Sequence, residues 1–283
     1  MRACRPLLGT YVEIRVDHPD ADAAAVAVDA GFAAISRVQR LMSVFDADSD
    51  LGRINRLADR EPVQVDPWTR EVLELALALH GDSGGIFDCG VAPRPAESGV
   101  PPAPEAAPAG STLANLQFTA DGRVAFGAPT RLDLGGIAKG YAVDRAAAAI
   151  LAAGAAGGTI NAGGDLRVVG AAEEAIHLRD PGNPQRLHFA GLLRDGACAT
   201  SATYYSRRRH AGREVSALVD PRTRRPLATR QSFTVIAPRC AVADALTKAL
   251  AVSGDTSLPC FSHHGAHPLI LSQSRVRHDP SQT

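Results

Sequence analysis

The chain has 283 residues, 45% of them hydrophobic, enough for one large domain or two small ones around a buried core. Its 30 Lys and Arg side chains balance 30 Asp and Glu, and the resulting zero net charge excludes a broadly basic nucleic-acid binder. Five cysteines (Cys4, Cys89, Cys198, Cys240, Cys260) without a C-x-x-C pair exclude a disulfide framework and zinc-knuckle spacing.

In chain order, Thr10 to Val16 alternates apolar and polar residues and predicts a strand. From Asp20 to Met42, Val26, Phe32, Ile35, Val38 and Leu41 recur at helical spacing. A second helix is expected from Ser49, an N-cap before Leu51, Ile54 and Leu57, and a third from Asp66-Pro67 to about Gly81. Arg94 to Gly110 is rich in Pro and Ala and reads as a loop. Leu116 to Phe126 predicts a hairpin turning at Asp121-Gly122, and Ile137 to Ala153 a helix stopped by Gly154.

Strand patterns then follow at Thr159–Asn161, Leu166–Val169, Ile176–Arg179, Leu187–Leu192, Val215–Val219 and Phe233–Ile236. A helix over Val242–Val252, a strand over Pro268–Leu271 and a tail from Ser272 complete the chain. The mixed order predicts an α+β fold with mixed or antiparallel sheets flanked by helices. A single domain is expected over residues 1–254, with a C-terminal strand and tail over 255–283. Ala146 to Ala162, the most apolar run, is too rich in Ala and Gly for a membrane span. Met1 to Pro6 lacks an apolar signal region, so a cytoplasmic location is expected, or a periplasmic one if the start site is misassigned.

Four clusters can carry chemistry. Leu132-Asp133-Leu134-Gly135-Gly136-Ile137-Ala138-Lys139-Gly140 runs from a strand end through two glycines into a helix. It is either a tight turn or a cradle where an anion meets backbone N–H groups and the Lys139 ammonium. Asn161-Ala162-Gly163-Gly164-Asp165 reads first as a hairpin turn with a carboxylate at its tip. Ala199-Thr200-Ser201-Ala202 precedes the basic run Arg207-Arg208-Arg209-His210, which is a solvated face or an anion-recruiting one. Asp244 and Lys248 lie four apart on a predicted helix, as an ion pair or as a carboxylate offered to a cation. His263, His264 and His267 sit without a nearby carboxylate and make a poor transition-metal site, and no G-x-S-x-G hydrolase elbow occurs.

Taken together, these segments resemble the ApbE family, the FAD:protein FMN transferases. The resemblance runs from about Leu8 to Gly254 in the family's order. It comprises Leu8-Gly9-Thr10, Met42-Ser43-Val44-Phe45, Ser49-Asp50-Leu51 with Ile54-Asn55, and Gly85-Ile86-Phe87-Asp88. The Leu132–Gly140 block continuing through Tyr141-Ala142-Val143-Asp144 is its most diagnostic part, followed by Gly163-Gly164-Asp165, Ala199-Thr200-Ser201, Asp220-Pro221-Arg222-Thr223 and Ala243-Asp244-Ala245-Leu246.

The resemblance implies a protein that cleaves the FAD pyrophosphate with magnesium. It then moves FMN to a Thr or Ser hydroxyl of an acceptor flavoprotein subunit and leaves AMP. It also implies that Leu8, Phe45, Ile86, Phe87, Asp88, Asp133 and Lys139 bind the flavin nucleotide, and that the Gly136 carbonyl and Asp244 face the metal. Asp244 and Lys248 are the candidate catalytic pair.

Four positions depart from the family pattern. Lys248 stands where the metal-binding helix usually carries Thr, and Thr247 is one residue early, turned by about 100° around the helix. An ammonium at Lys248 can occupy the cation's place. Ala217 replaces a histidine that assists proton removal, and it has nothing to accept a proton. Arg224 stands for a Gly, and Ala202 ends the run that reads Thr-Ser-Gly in the family. Two alternatives to transfer follow: FAD binding without turnover, and FAD hydrolysis to FMN and AMP.

Overall fold

The computed structural model describes residues 1–91, 107–202, 218–227 and 229–272, and the backbone at 208–210 and 213–215. Most of the expected 94–110 loop, Ala217, Arg207 and the tail beyond 272 lie outside the described residues.

The first two strands, β1 (Arg2–Leu7) and β2 (Thr10–Asp17), form a hairpin in the register Leu7↔Thr10. Both turn residues have positive φ, 55° at Leu8 and 70° at Gly9, the backbone that matches strand twist in a two-residue loop. Val12, Ile14 and Val16 of β2 are fully buried on one face, whereas Tyr11 is exposed.

Three helices follow: α1 (Ala21–Leu41), α2 (Asp50–Leu57) and α3 (Pro67–Asp82). Each starts at a side-chain cap, where Asp20, Ser49 and Asp66 accept backbone N–H groups of the first turn, and of these Ser49 is the expected cap. A short hairpin, β3 (Leu116–Phe118) with β4 (Val124–Phe126), turns through Gly122 at φ 79°. Then come α4 (Ala138–Ala152), β5 (Gly157–Ala162), β6 (Asp165–Arg179) and β7 (Leu187–Ala202). Two small hairpins, β8 (Arg208–His210) with β9 (Arg213–Val215) and β10 (Val219–Asp220) with β11 (Arg225–Pro226), lead to β12 (Ser232–Ala237). Helices α5 (Cys240–Ser253) and α6 (Pro259–His263) precede β13 (His267–Leu271). Gly254, left-handed at φ 65°, ends α5.

Seven strands form one sheet in the order β1-β2-β5-β6-β7-β12-β13, and every neighbouring pair is antiparallel. The fold is α+β, as expected. The main core joins one sheet face (Ile14, Ile160, Ala197, Ala199, Val235) to the helices through Phe32, Leu73, Tyr141 and Leu246. Close packing is visible at Gly31, where a methyl group would lie 2.8 Å from Ile14 Cδ1. A smaller cluster around Leu166, Val168 and Ile176 occupies the opposite sheet face.

The structure differs from the sequence expectation at several places. The expected strand Val215–Val219 is not one strand: β9 ends at Val215 and β10 begins at Val219. Helix α6 over Pro259–His263 is not among the expected elements. The segments Leu166–Val169 and Ile176–Arg179 are one strand, β6, continued past Gly170 (φ 64°) by a register shift between Val168 and Glu173. Strand β7 runs on to Ala202, so Thr200 and Ser201 are strand residues paired with Thr234 and Phe233. Strand β1 was hidden because it is an edge strand, mostly exposed and containing Pro6, which an edge tolerates.

Candidate active site

The diagnostic block owes two of its residues to helix packing. Helix α4 touches α5 at Gly140, where a methyl group would sit 2.3 Å from the Cys240 carbonyl oxygen and 2.8 Å from Asp244 Cβ. Without that close approach, the Gly140 N–H could not donate to Asp244 Oδ2 at 3.1 Å. One turn further along α4, Asp144 accepts the N–H groups of Cys240 (2.8 Å) and Ala241 (2.9 Å). It thereby caps α5, whose own N-cap residue Arg239 supplies no side-chain bond.

Asp244 is fully buried at the centre of a four-charge cluster. The Lys248 ammonium, one helical turn away, donates to Asp244 Oδ1 and to the Asp244 main-chain carbonyl at 2.9 Å. Lys139 pairs with the buried carboxylate of Asp165 and lies 4.0 Å from Asp244 Oδ2. Burial alone would push the Asp244 carboxyl up, but Lys139 and Lys248 outweigh it and hold the group below the usual carboxylate range. Burial likewise disfavours the Lys139 ammonium, and Asp244 and Asp165 overcome that and raise it above an ordinary lysine. Asp165 goes the other way: its burial, and then the Asp244 charge, raise its carboxyl against the pull of Lys139. In formal charge, the two lysines match the two aspartates.

A cleft of about 410 Å³ opens above this cluster. Ile86, Phe87, Asp88, Asp133, Gly136, Lys139 and Lys248 all line it, so the structure brings together seven of the sequence-derived site residues. Thr200, Ser201 and Pro221 form its opposite side. The Asp133 carboxylate accepts the Gly135 N–H at 2.8 Å, and its own N–H donates to the Cys89 carbonyl, tying the block to the 86–91 turn. Asp88 accepts the N–H groups of Gly90 (2.7 Å) and Leu113 (2.8 Å) and the Thr112 hydroxyl (2.6 Å). Its carboxylate thus shapes the cleft wall from behind.

Leu8 and Phe45 are not among the residues that line this cleft. Leu8 sits in the β1–β2 turn, its N–H on Gln39 Oε1 at 2.6 Å. Phe45 is 68% exposed and borders a separate groove with Asn55 and Arg131. The three histidines do not converge as a ligand set: His264 instead meets Asp82 at 2.8 Å, and no cluster of three metal-ligating side chains exists among the described residues.

Two polar residues gain a role that the sequence pattern did not reveal. Asp165, read first as the tip of a hairpin, is the buried partner of Lys139. Ser201 shares a hydrogen bond with Thr247 across the β7–α5 contact at 2.7 Å. The signal for Asp165 was its place after Gly163-Gly164, whereas nothing local marks the Ser201–Thr247 pair.

The site can receive an anionic ligand with an apolar part: it offers two ammonium groups, bare glycine backbone and the half-buried Ile86 side chain. A sequence profile of the ApbE family matches residues 8–266. An FAD:protein FMN transferase of Vibrio cholerae is 28% identical over 84% of this chain and 76% of its own length. One of Rhodobacter capsulatus is 30% identical over 75% of this chain and 44% of its own. The crystal structure of the ApbE protein of Thermotoga maritima superposes with a TM-score of 0.82 at 27% identity, covering 95% of this chain and 93% of that one.

Proposed function

The chain belongs to the ApbE family, and from that membership we propose that it is an FAD:protein FMN transferase acting on a flavoprotein subunit. The observation that carries the reading is the cleft itself, where Lys139 and Lys248 meet at the glycine turn before α4, above the buried Asp244.

The reaction is a phosphoryl transfer. The acceptor hydroxyl oxygen forms a bond to the FMN-side phosphorus of FAD, the pyrophosphate P–O bond to the AMP moiety breaks, and AMP leaves as one proton is released. Such a step depends on positioning and on neutralising phosphate charge. Lys139, a third exposed, has an ammonium that can meet a pyrophosphate oxygen while Asp165 and Asp244 hold it charged. Gly135 and Gly136 let the pyrophosphate approach the backbone, and the half-buried Ile86 offers apolar surface backed by the buried Phe87.

Magnesium, which the family resemblance implies, does not fit the side chains present. One Asp244 oxygen carries the Lys248 ammonium and the other accepts the Gly140 N–H. The Thr247 hydroxyl is engaged by the Asp244 carbonyl (2.6 Å) and Ser201. A cytoplasmic location belongs to the same reading, supported by five unpaired thiols. Among the described residues no helix is long and apolar enough to cross a membrane.

The test incubates the purified chain with FAD and the acceptor subunit of a characterised family transferase, then inspects a denaturing gel for flavin fluorescence. Fluorescence on the acceptor band, with AMP released in equal amount, is the expected result. FMN and AMP without labelled acceptor would replace transfer by hydrolysis, and intact FAD would reduce the protein to a binder.

A further inference from the structure

We propose that Lys248 is a built-in cation, its ammonium standing on Asp244 where a divalent metal would bind, so that the chain holds its nucleotide without that metal. The nucleotide half of this statement rests on the FAD reading above. The metal half stands on the geometry alone.

An ammonium has three N–H donors and no acceptor. Lys248 directs two of them at one residue, to the Asp244 main-chain carbonyl at 2.9 Å and to its carboxylate Oδ1. A hard divalent cation would seek the same kind of oxygen pair. The lysine stem reaches that position by lying against Gly136, where a methyl group would meet Cε at 3.6 Å and Cδ at 3.9 Å. Gly136 is the residue whose carbonyl the family resemblance assigns to the metal, so stem and head of Lys248 fill the space between Gly136 and Asp244.

The remaining donors are committed as well. The second Asp244 oxygen accepts the Gly140 N–H at 3.1 Å with the Lys139 ammonium 4.0 Å away, and the Thr247 hydroxyl is bonded within the β7–α5 contact. Lys139 and Lys248 already balance Asp165 and Asp244. A divalent ion entering this cluster would face two ammonium groups that already match the cluster's two carboxylates. Asp88 and Asp133 on the cleft wall are engaged by the N–H groups of Gly90, Leu113 and Gly135. The Lys248 head group remains partly open to the cleft, with side-chain exposure of 24%. Its third N–H is left to donate to a phosphate oxygen of the bound nucleotide, the contact a bridging metal would otherwise supply.

Two titrations on the full chain test this. The first follows Mn²⁺ uptake by electron paramagnetic resonance without nucleotide, on the native chain, Lys248→Thr and Lys248→Arg. The native chain and Lys248→Arg should take up no stoichiometric Mn²⁺, and Lys248→Thr should gain one site. The second follows FAD affinity by quenching of flavin fluorescence, in EDTA and in excess Mg²⁺. Native affinity should be the same in both, whereas Lys248→Thr should bind about 10–100-fold more weakly in EDTA, as loss of a charge-assisted hydrogen bond requires, and recover with Mg²⁺. One tight Mn²⁺ on the native chain, removed by Asp244→Asn, would overturn the proposal even if Lys248→Thr fails to fold. So would native FAD binding that collapses in EDTA. Absence of FAD binding under every condition would sink the transferase reading, and the Mn²⁺ titration would still decide the role of Lys248.

Discussion

Replacing Gly140 with alanine adds one methyl group at the point where α4 and α5 touch. That methyl would lie 2.3 Å from the Cys240 carbonyl oxygen, 2.6 Å from its carbon and 2.8 Å from Asp244 Cβ. Two of these atoms are backbone, so no side-chain rotation relieves the overlap and the helices must separate. Overpacking of this kind costs about 1–3 kcal/mol. Separation also lengthens the 3.1 Å bond from the Gly140 N–H to the buried Asp244 carboxylate, a charge-assisted bond worth about 1.5–3 kcal/mol. Against these stands a gain of about 1 kcal/mol in helix propensity from Gly to Ala. The net loss is about 1.5–5 kcal/mol, or a fall in Tm of roughly 3–10 °C for a chain of 283 residues. Urea denaturation followed by circular dichroism measures the loss, and FAD affinity of the folded fraction should fall with it, since Asp244 positions both lysines. A Gly140→Ala protein within about 0.5 kcal/mol of the native chain would refute the claim that this contact sets the site.

Asp144→Ala should cost about 1–2 kcal/mol in the same denaturation assay, because α5 then loses the side chain that accepts the Cys240 and Ala241 N–H groups. A loss that also appears with Arg239→Ala alone would argue against the cap. The cysteines supply a pH prediction. Burial raises the thiols of Cys89, Cys240 and Cys260 and pushes Cys198 up to about 12, whereas Cys4 is exposed. Their folded values lie above the unfolded value, about 8.5, so their contribution to stability is complete below that pH and declines as the pH rises from there toward 12. A thiol reagent at pH 8 should accordingly label Cys4 quickly and the other four only in denaturant. Rapid native labelling of Cys198 or Cys240 would contradict that.

Elements that announce themselves locally were legible in the sequence. Asp66-Pro67 opens α3 as expected, with the Asp66 side chain accepting the Trp68 N–H at 2.9 Å, and Gly122 turns the β3–β4 hairpin. Local pattern fails where a partner is remote. The reason for glycine at 140 lies in Cys240 and Asp244, about a hundred residues on, and Asp144 caps a helix that starts at residue 240. The joined β6 is another case: Gly170 to Glu174 looks like a break because it combines a positive-φ glycine with two acids, and only pairing with β7 carries the strand through. In the site, the choice between tight turn and ligand cradle at Leu132–Gly140 dissolves, because the same segment is both. Asp133 closes the turn on Gly135, while Gly136 and Lys139 border the cleft. Gly163-Gly164 does turn the β5–β6 hairpin as expected, with Asp165 opposite Ala162, but the Asp165 partner Lys139 is on another element and leaves no local trace.

The same interlocking dictates how variants of this site must be interpreted. Asp165 and Asp244 are buried, so removing Lys139 leaves the Asp165 carboxylate without its ion-pair partner, a change that commonly costs about 3–5 kcal/mol. Asp244→Asn does the converse and leaves two ammonium groups facing one carboxylate. Lost activity in either variant would reflect folding as readily as chemistry. Lys248 is different. Its partner Asp244 keeps the Gly140 N–H at 3.1 Å and Lys139 at 4.0 Å when Lys248 is cut short. Its own head group is partly solvated, and the ion pair is an i,i+4 contact within one helix. Substitution there perturbs the cation position while the helix junction at Gly140 and Asp144 stays intact. Lys248 is therefore the position in this cluster where binding, metal dependence and stability can be measured separately.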